Sequence, residues 1–435
     1  MRSGMSVAIA GAIGLAGCAY PYPPPALAPV TAPPPATLAT PAATVQAAAP
    51  VTILVSIDGF RPDYLDRGVT PALNRLKAAG VSAAMRPSFP SVTFPNHWTL
   101  VTGLRPDRTG IVGNKMEDAR RPGETFTMQT DDPFWWSDAE PIWVTAEKAG
   151  IRTATMFWPG ANVAVGGTRA PTGHHFVTGG VRPSDWDQYN EAVTGEQRVA
   201  AVIDWLRRPA ASRPRLITLY FDIVDTAGHD YGPDDARTTA AAAAVDAQIG
   251  SLVAGLAALN QPANLVIVAD HGMAATSSTR TVALADLADP ADLRAIETGP
   301  VASIVALPGR EEAVARRLLR PHDHVDCWRK DAIPPRLHYG RNPRVAPFVC
   351  LAAAGWTIAK TAPTEAYSGG AHGYDPADPA MRALFIASGP AFAAGRTIAS
   401  FDNVDVAPLL RDLVGLPAGR DLDGDDAPFR GVLTR

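Results

Sequence analysis

The sequence predicts an α/β fold: a mostly parallel central sheet with helices on both faces and a small inserted α+β subdomain. Three observations carry this expectation. Short β-branched runs bounded by turn residues recur along the chain. Each is followed by an Ala- and Leu-rich stretch of helical pattern, and strand followed by helix, repeated, builds a parallel sheet covered on both faces. The part from Val51 onward, about 385 of the 435 residues, is long enough for one large domain with an insertion, or for two domains sharing a cleft.

In chain order the strand runs fall at residues 51–57, 153–158, 216–224, 265–269 and 384–387, and the helical patterns at 70–79, 96–102, 143–149, 191–207, 237–258 and 311–319. In the 237–258 segment Val245, Ile249, Leu252 and Leu256, followed by Leu259, are spaced to line one face. Residues 298–356 read differently, as a strand, a helix and then a Pro-rich stretch, and are taken as the inserted subdomain, a small sheet with one helix. No repeat of fixed period appears, so solenoids and propellers are set aside.

Composition narrows the function classes. With 46% hydrophobic and 19% charged positions the chain is neither collagen-like, coiled-coil nor wholly disordered. Thirty-nine basic against 43 acidic side chains leave a formal charge of -4, so no bulk positive field is available to hold a nucleic acid.

Between Arg2 and Asp58 there is no Lys, Arg, Asp or Glu. The apolar run from Met5 to Leu15, roughly 11 residues, is too short to span a bilayer and ends in Leu15-Ala16-Gly17-Cys18. That box resembles a bacterial lipoprotein signal over residues 1–18, with Cys18 as the lipidated N-terminus. Ala19, where an aspartate would signal retention, resembles the pattern for outer-membrane sorting. Residues 19–50 are rich in Pro, Ala and Thr, with two Pro-Pro-Pro runs, and read as a semi-rigid tether ahead of a folded domain at 51–435. The expected location is the periplasm or cell envelope, with a membrane contact through the lipid. Cys327 and Cys350 are then an even pair in an oxidising compartment, which favours a disulfide over two buried thiols.

The chemistry sits where strands end. Ile53 to Ile57 runs into Asp58-Gly59, residues 216–224 run into Asp225 with Gly228-His229 soon after, and Val266 to Ala269 runs into Asp270-His271-Gly272. A later loop offers Gly370-Ala371-His372-Gly373-Tyr374. Ligands of open parallel sheets bind at the carboxyl ends of strands. Any one of these aspartates could simply cap a helix. Four segments mixing carboxylate and imidazole point to a two-metal centre of zinc type, because borderline cations accept that mixture of donors.

Together, Asp58-Gly59-Phe60-Arg61, Pro90-Ser91-Val92-Thr93-Phe94-Pro95-Asn96-His97, Gly110-Ile111-Val112-Gly113-Asn114, Asp225 to His229, Asp270-His271-Gly272 and Gly370 to Tyr374 resemble the nucleotide pyrophosphatase/phosphodiesterase branch of the alkaline phosphatase superfamily. The resemblance covers almost everything from Val51 to the C-terminus and implies an alkaline-phosphatase-like fold. It places one zinc ion on Asp225, His229 and His372 and a second on Asp58, Asp270 and His271. Thr93 becomes the nucleophile, bound to the second metal, attacking phosphorus in line to give a phosphothreonine that water on the Asp225 side then hydrolyses. Pro95 supports this locally, since it suits the first turn of a helix and sets the Thr93 hydroxyl at a positive helix end. Asn114 becomes a donor to a phosphoryl oxygen. Phe94 and Tyr189 become the walls of a slot in which a nucleobase stacks. His97 is expected to be packed or hydrogen-bonded, and His174, His175, His322, His324 and His338 surface or structural.

The implied reaction is hydrolysis of a nucleotide phosphodiester or phosphoanhydride, releasing a nucleoside 5′-monophosphate. Sulfatase and phosphomonoesterase readings lose ground because Thr93-Phe94-Pro95-Asn96-His97 contains no arginine and no serine or cysteine nucleophile. A phosphodiesterase for choline-type lipid head groups stays open through Trp135, Trp136, Trp158 and Trp186, as does a surface lipoprotein that binds without turnover. The sequence leaves the oligomeric state open.

Overall fold

The computed structural model describes residues 49–170 and 176–434. Cys18, the expected leader and all but the last two residues of the tether lie outside the described residues, as do His174 and His175.

Among the described residues, Val51–Ile57 lies inside an eight-stranded sheet whose order is Arg396–Thr397, Val81–Met85, Ala383–Ser388, Ala263–Val268, Val51–Ile57, Leu216–Phe221, Thr153–Met156 and Asp185–Asp187. It pairs in parallel with Ala263–Val268 on one side and Leu216–Phe221 on the other. Ala383–Ser388 alone of the eight runs antiparallel to its neighbours. Every side chain of Val51–Ile57 and of Leu216–Phe221 is buried, as continuous apolar runs in a sheet covered on both faces require.

Two groups of helices form that cover. Pro71–Ala78, Gly195–Leu206, Ile223–Tyr231 and Ala236–Ala258 pack together, and Thr93–Thr102, Ile142–Lys148 and Val406–Val414 form the other group. Ala236–Ala258 is long and apolar enough to cross a membrane, yet Val245, Ile249, Leu252 and Leu256 bury its predicted stripe against the first group. Asp246, on the same helix, accepts N–H bonds from Ala72 (3.0 Å) and Leu73 (2.7 Å). It thereby caps Pro71–Ala78, which has no side-chain cap of its own.

Four predicted boundaries are corrected. The 216–224 strand stops at Phe221, and Ile223–Tyr231 is a helix, because Asp222 takes helical dihedrals and its carbonyl accepts from Thr226 N (3.1 Å). The apolar run thus belongs to two elements, and Asp225 and His229 lie on a helix. The 191–207 helix starts at Gly195, where Thr194 and Gln197 form a reciprocal capping box. The 96–102 helix starts three residues early, at Thr93, which its first-turn Pro95 permits since no N–H partner is needed there. The 153–158 strand ends at Met156, and Phe157 turns the chain with a left-handed φ of 61°. Val81–Met85 and the helix Val406–Val414 are additions to the predicted set.

A second sheet, antiparallel, is ordered Leu293–Glu297, Val301–Ala306, Phe348–Ala352, Val325–Arg329. The helix Glu311–Leu318 shares a core with it through Val314, Leu318, Ile304 and Phe348. Cys327 faces Cys350 across two of its strands, with the sulfurs 2.00 Å apart. The segment that leads into Phe348–Ala352 braces a loop of the main domain. Buried Arg344 donates to the carbonyls of Gly110 (2.8 Å) and Trp135 (2.8 Å), and the Tyr339 hydroxyl donates to Val112 O (2.7 Å).

Candidate active site

The carboxyl ends of the central strands converge on one cluster. Asp58 follows Val51–Ile57, and Asp270-His271 follows Ala263–Val268. Asp225 and His229 sit one turn apart on Ile223–Tyr231 and so share a face. His372 follows Ser368–Ala371, a strand paired with Ala274–Ser277. Thr93 is the first residue of Thr93–Thr102.

The structure brings all seven predicted groups together. His271 Nε2 lies 2.9 Å from Asp270 Oδ2, 3.4 Å from Asp58 Oδ1 and 3.3 Å from Thr93 Oγ1. On the other side His372 Nε2 lies 3.0 Å from His229 Nε2 and 3.7 Å from Asp225 Oδ1, and His229 Nε2 lies 3.4 Å from Asp225 Oδ2. His271 stands between the halves: its ring stacks on His372 at 3.5 Å, and its ligand atom lies within 4.8 Å of those of Asp225 and His372 as well as those of Asp58 and Asp270.

The donor set fits two divalent cations on three counts. Asp58 Oδ1, Asp225 Oδ1 and Asp270 Oδ2 are buried oxygens without a hydrogen bond, a costly state unless a cation meets them. Each imidazole has its Nδ1 against a backbone carbonyl: His229 to Gly370 (2.9 Å), His271 to Gly272 (3.0 Å) and His372 to Ser91 (3.0 Å). That fixes the tautomer and leaves every Nε2 lone pair facing the cluster. Finally, the carboxylates crowd one another. Burial first, then Asp270 and Asp225, raises the Asp58 carboxyl well above the usual range, and burial raises Asp225. Burial works on Asp270 in the same direction but is outweighed by His271 and His97, which hold it low. His372 is pushed down by burial and by His271 and His229, so it stays neutral, as a ligand must.

Three supporting groups lay beyond the predicted set or in a bystander role. Tyr220 donates its hydroxyl to Asp58 Oδ2 (2.7 Å), and burial together with Asp58 keeps that phenol protonated. His97, fully buried, places Nδ1 2.9 Å from Thr93 O and 3.3 Å from Asp270 Oδ2, while its Nε2 meets Ser56 Oγ at 2.8 Å. It ties the first strand, the Thr93 helix and Asp270 together. Alternation within the strands could have flagged Ser56 and Tyr220 as polar tips in apolar runs, but their partners are distant in sequence.

Asn114 is anchored by its Oδ1, which accepts from Phe94 N at 3.0 Å, so its Nδ2 amino group is the end left to donate. A cleft of ≈ 490 Å³ opens from Thr93, Asn114 and His372 and is walled by Phe94, Trp136, Phe157, Trp158 and Tyr189. That volume suits a ligand of nucleotide size. Phe94 packs edge-on against Phe126 and at a tilt against Trp136, whereas Tyr189 is 44% exposed and is held by its hydroxyl on Asp222 (2.7 Å). Of the tryptophans kept open for a choline cage, Trp136 and Trp158 line the cleft. Trp135 is core, and Trp186, under the Arg182 guanidinium, does not line it.

A family model described as type I phosphodiesterase / nucleotide pyrophosphatase matches residues 52–375. Ectonucleotide pyrophosphatase/phosphodiesterase family member 1 of Mus musculus is 34% identical over 394 residues, 87% of this chain but 42% of the mouse protein's length. The bis(5′-adenosyl)-triphosphatase enpp4 of Xenopus laevis is 36% identical over 84% of this chain and 78% of its own. A solved structure of murine ectonucleotide pyrophosphatase / phosphodiesterase 5, an inactive form in complex with AMP, superposes with a TM-score of 0.81 at 33% identity, covering 88% of this chain and 100% of that one. The fold is therefore alkaline-phosphatase-like, as the six motifs implied.

Proposed function

The chain belongs to the type I phosphodiesterase / nucleotide pyrophosphatase family, and on that premise we propose that it hydrolyses phosphodiester or phosphoanhydride bonds of nucleotides, releasing nucleoside 5′-monophosphates. One observation carries the reading: three unpartnered carboxylate oxygens face three Nε2 atoms whose Nδ1 partners are already satisfied, beside a hydroxyl in the first turn of a helix.

Asp58, Asp270 and His271 would hold one zinc ion and Asp225, His229 and His372 the other. When bound, the pair supplies Lewis-acid stabilisation of the attacking and leaving oxygens and offsets the charge of three carboxylates. Thr93 Oγ1 attacks phosphorus in line; its bond to phosphorus forms as the bond to the leaving oxygen breaks, and the hydroxyl proton passes to solvent. Asn114 Nδ2 donates to a non-bridging phosphoryl oxygen as charge builds there. Water then attacks the phosphothreonine, which frees the monophosphate and restores the Thr93 hydroxyl. Phe94 and Tyr189 hold the base between their faces. The AMP complex of the phosphodiesterase 5 structure and the dinucleoside-triphosphatase name of the frog relative support a nucleotide substrate. The names of the ectoenzyme relatives support export; attachment to the outer membrane through Cys18 is our further reading of the leader.

The test is a substrate panel with product identification, run alongside metal analysis of protein purified without chelator. Nucleoside 5′-monophosphate release and about two zinc ions per chain are expected. Protein that holds no metal, or that prefers nitrophenyl phosphorylcholine to the thymidine monophosphate nitrophenyl ester, would overturn the reading.

A further inference from the structure

The outer end of the cleft carries charge that the proposed chemistry does not use. Asp187, Tyr189 and Glu191 line it together with Gln188 and Asn162. Asp187 is the last residue of the edge strand Asp185–Asp187, at the same carboxyl edge of the sheet as the metal-facing cluster. A third carboxylate nearby, Asp222, is neutralised: it accepts from Arg198 (2.7 Å) and from the Tyr189 hydroxyl (2.7 Å). Asp187 and Glu191 have neither an ion pair nor a side-chain hydrogen bond among the described residues, and no Lys or Arg among those residues lines the cleft. Two uncompensated acceptors therefore line the cleft, two residues before and two residues after Tyr189, the ring on which a base would stack.

We propose that Asp187 and Glu191 are specificity-determining residues that select a base whose outer edge donates N–H groups. Adenine-, cytosine- and guanine-bearing esters are then preferred to uracil- and thymine-bearing ones. The inference rests on the nucleotide reading above and adds the class of base. A carboxylate accepts from an exocyclic amino group, whereas the two carbonyls that flank the single N3–H of uracil or thymine face it with like partial charge. Gln188 and Asn162 extend the hydrogen-bonding edge.

The experiment compares kcat/KM of the full chain, loaded with zinc, on the p-nitrophenyl 5′-phosphate esters of adenosine, cytidine, uridine and thymidine, which share one leaving group. Because both carboxylates are exposed, a preference of roughly tenfold for the amino-bearing bases is expected rather than the larger discrimination of a buried site. In the double variant Asp187→Asn, Glu191→Gln that ratio should fall to about one or invert, since the new amides can donate to uracil oxygens. The ratio is the readout, so a variant that merely folds poorly loses both rates together and is checked with Glu191→Gln alone. Equal rates on all four esters in the parent, or a ratio unmoved by either variant, would refute the selection while leaving nucleotide hydrolysis standing. If p-nitrophenyl phosphorylcholine outpaces every nucleotide ester, the underlying reading falls as well.

Discussion

At the metal-facing end of the cleft Asp58, Asp270 and His271 are buried just beyond the central strands and each is gripped from behind: by the Tyr220 hydroxyl, by Gly59 N and by the Gly272 carbonyl. At the outer end Asp187, Tyr189 and Glu191 are exposed on an edge strand and the loop after it, and only Tyr189 is tied, through Asp222. On the proposed reading, the difference separates reaction from selectivity. Groups proposed to hold a cation in a fixed geometry sit where the sheet leaves little freedom, while the carboxylates proposed to choose a substrate sit where they hold no ion pair or side-chain hydrogen bond among the described residues.

The sharpest way to break this division is at its inner edge. Thr93→Ala should lower turnover at least about 1,000-fold while metal content and melting temperature stay close to the parent, because only the attacking atom is lost. More than a tenth of the parent activity would contradict a covalent route. Next comes Asn114, on the junction between the two ends. Asn114→Ala should cost about 100-fold in kcat. Asn114→Asp, which keeps the acceptor for Phe94 N but loses the donor, should lose about as much if donation is what matters, and far less if the residue only anchors the helix.

A smaller effect is expected behind the ligands. Tyr220→Phe removes the hydroxyl from Asp58 Oδ2, and a decrease of about 10-fold in zinc affinity, read by chelator competition, would match the usual worth of such a partner. No change in affinity would mean that burial alone holds Asp58 in place.

The smallest effect concerns Glu297, whose carboxylate lies beside Gly113 under the turn that bears Asn114. Burial raises its carboxyl to about 7, against a weaker opposing pull from Lys115. A folded-state pKa above the unfolded one gives stability that is complete below the ordinary carboxylate range and is lost as pH rises through about 7. Glu297→Gln should therefore gain on the parent in thermal stability between about pH 5 and about pH 8, by on the order of 2 kcal/mol. A stability difference that does not move with pH would show that the carboxyl is solvated.

Much of this is legible in the sequence. The runs that became Val51–Ile57, Leu216–Phe221 and Ala263–Val268 are predominantly apolar and β-branched because both faces of the sheet are covered, and Asp58 and Asp270-His271 stand at the ends of two of them. Ile223–Tyr231 was hidden, since Ile223 and Val224 extend the preceding strand's β-branched run and Gly228 weakens the helical pattern. Nothing local marked Tyr220, Asp187 or Glu191: the first lies inside a predominantly apolar strand run, and the other two are single acidic residues far in sequence from the motifs around Asp58, Thr93 and Asp270.

By itself, then, the sequence determined the layered α/β fold, the residue types able to hold metal and the hydroxyl beside them, because period and local turn chemistry are written in neighbouring residues. Tertiary structure alone decided that His271 stands between both ligand groups, that every Nδ1 meets a carbonyl, that Tyr220 supports Asp58 and that two free carboxylates close the outer end of the cleft. Those relations join segments up to some 280 residues apart, such as His372 and Ser91, and no local pattern encodes such a pairing.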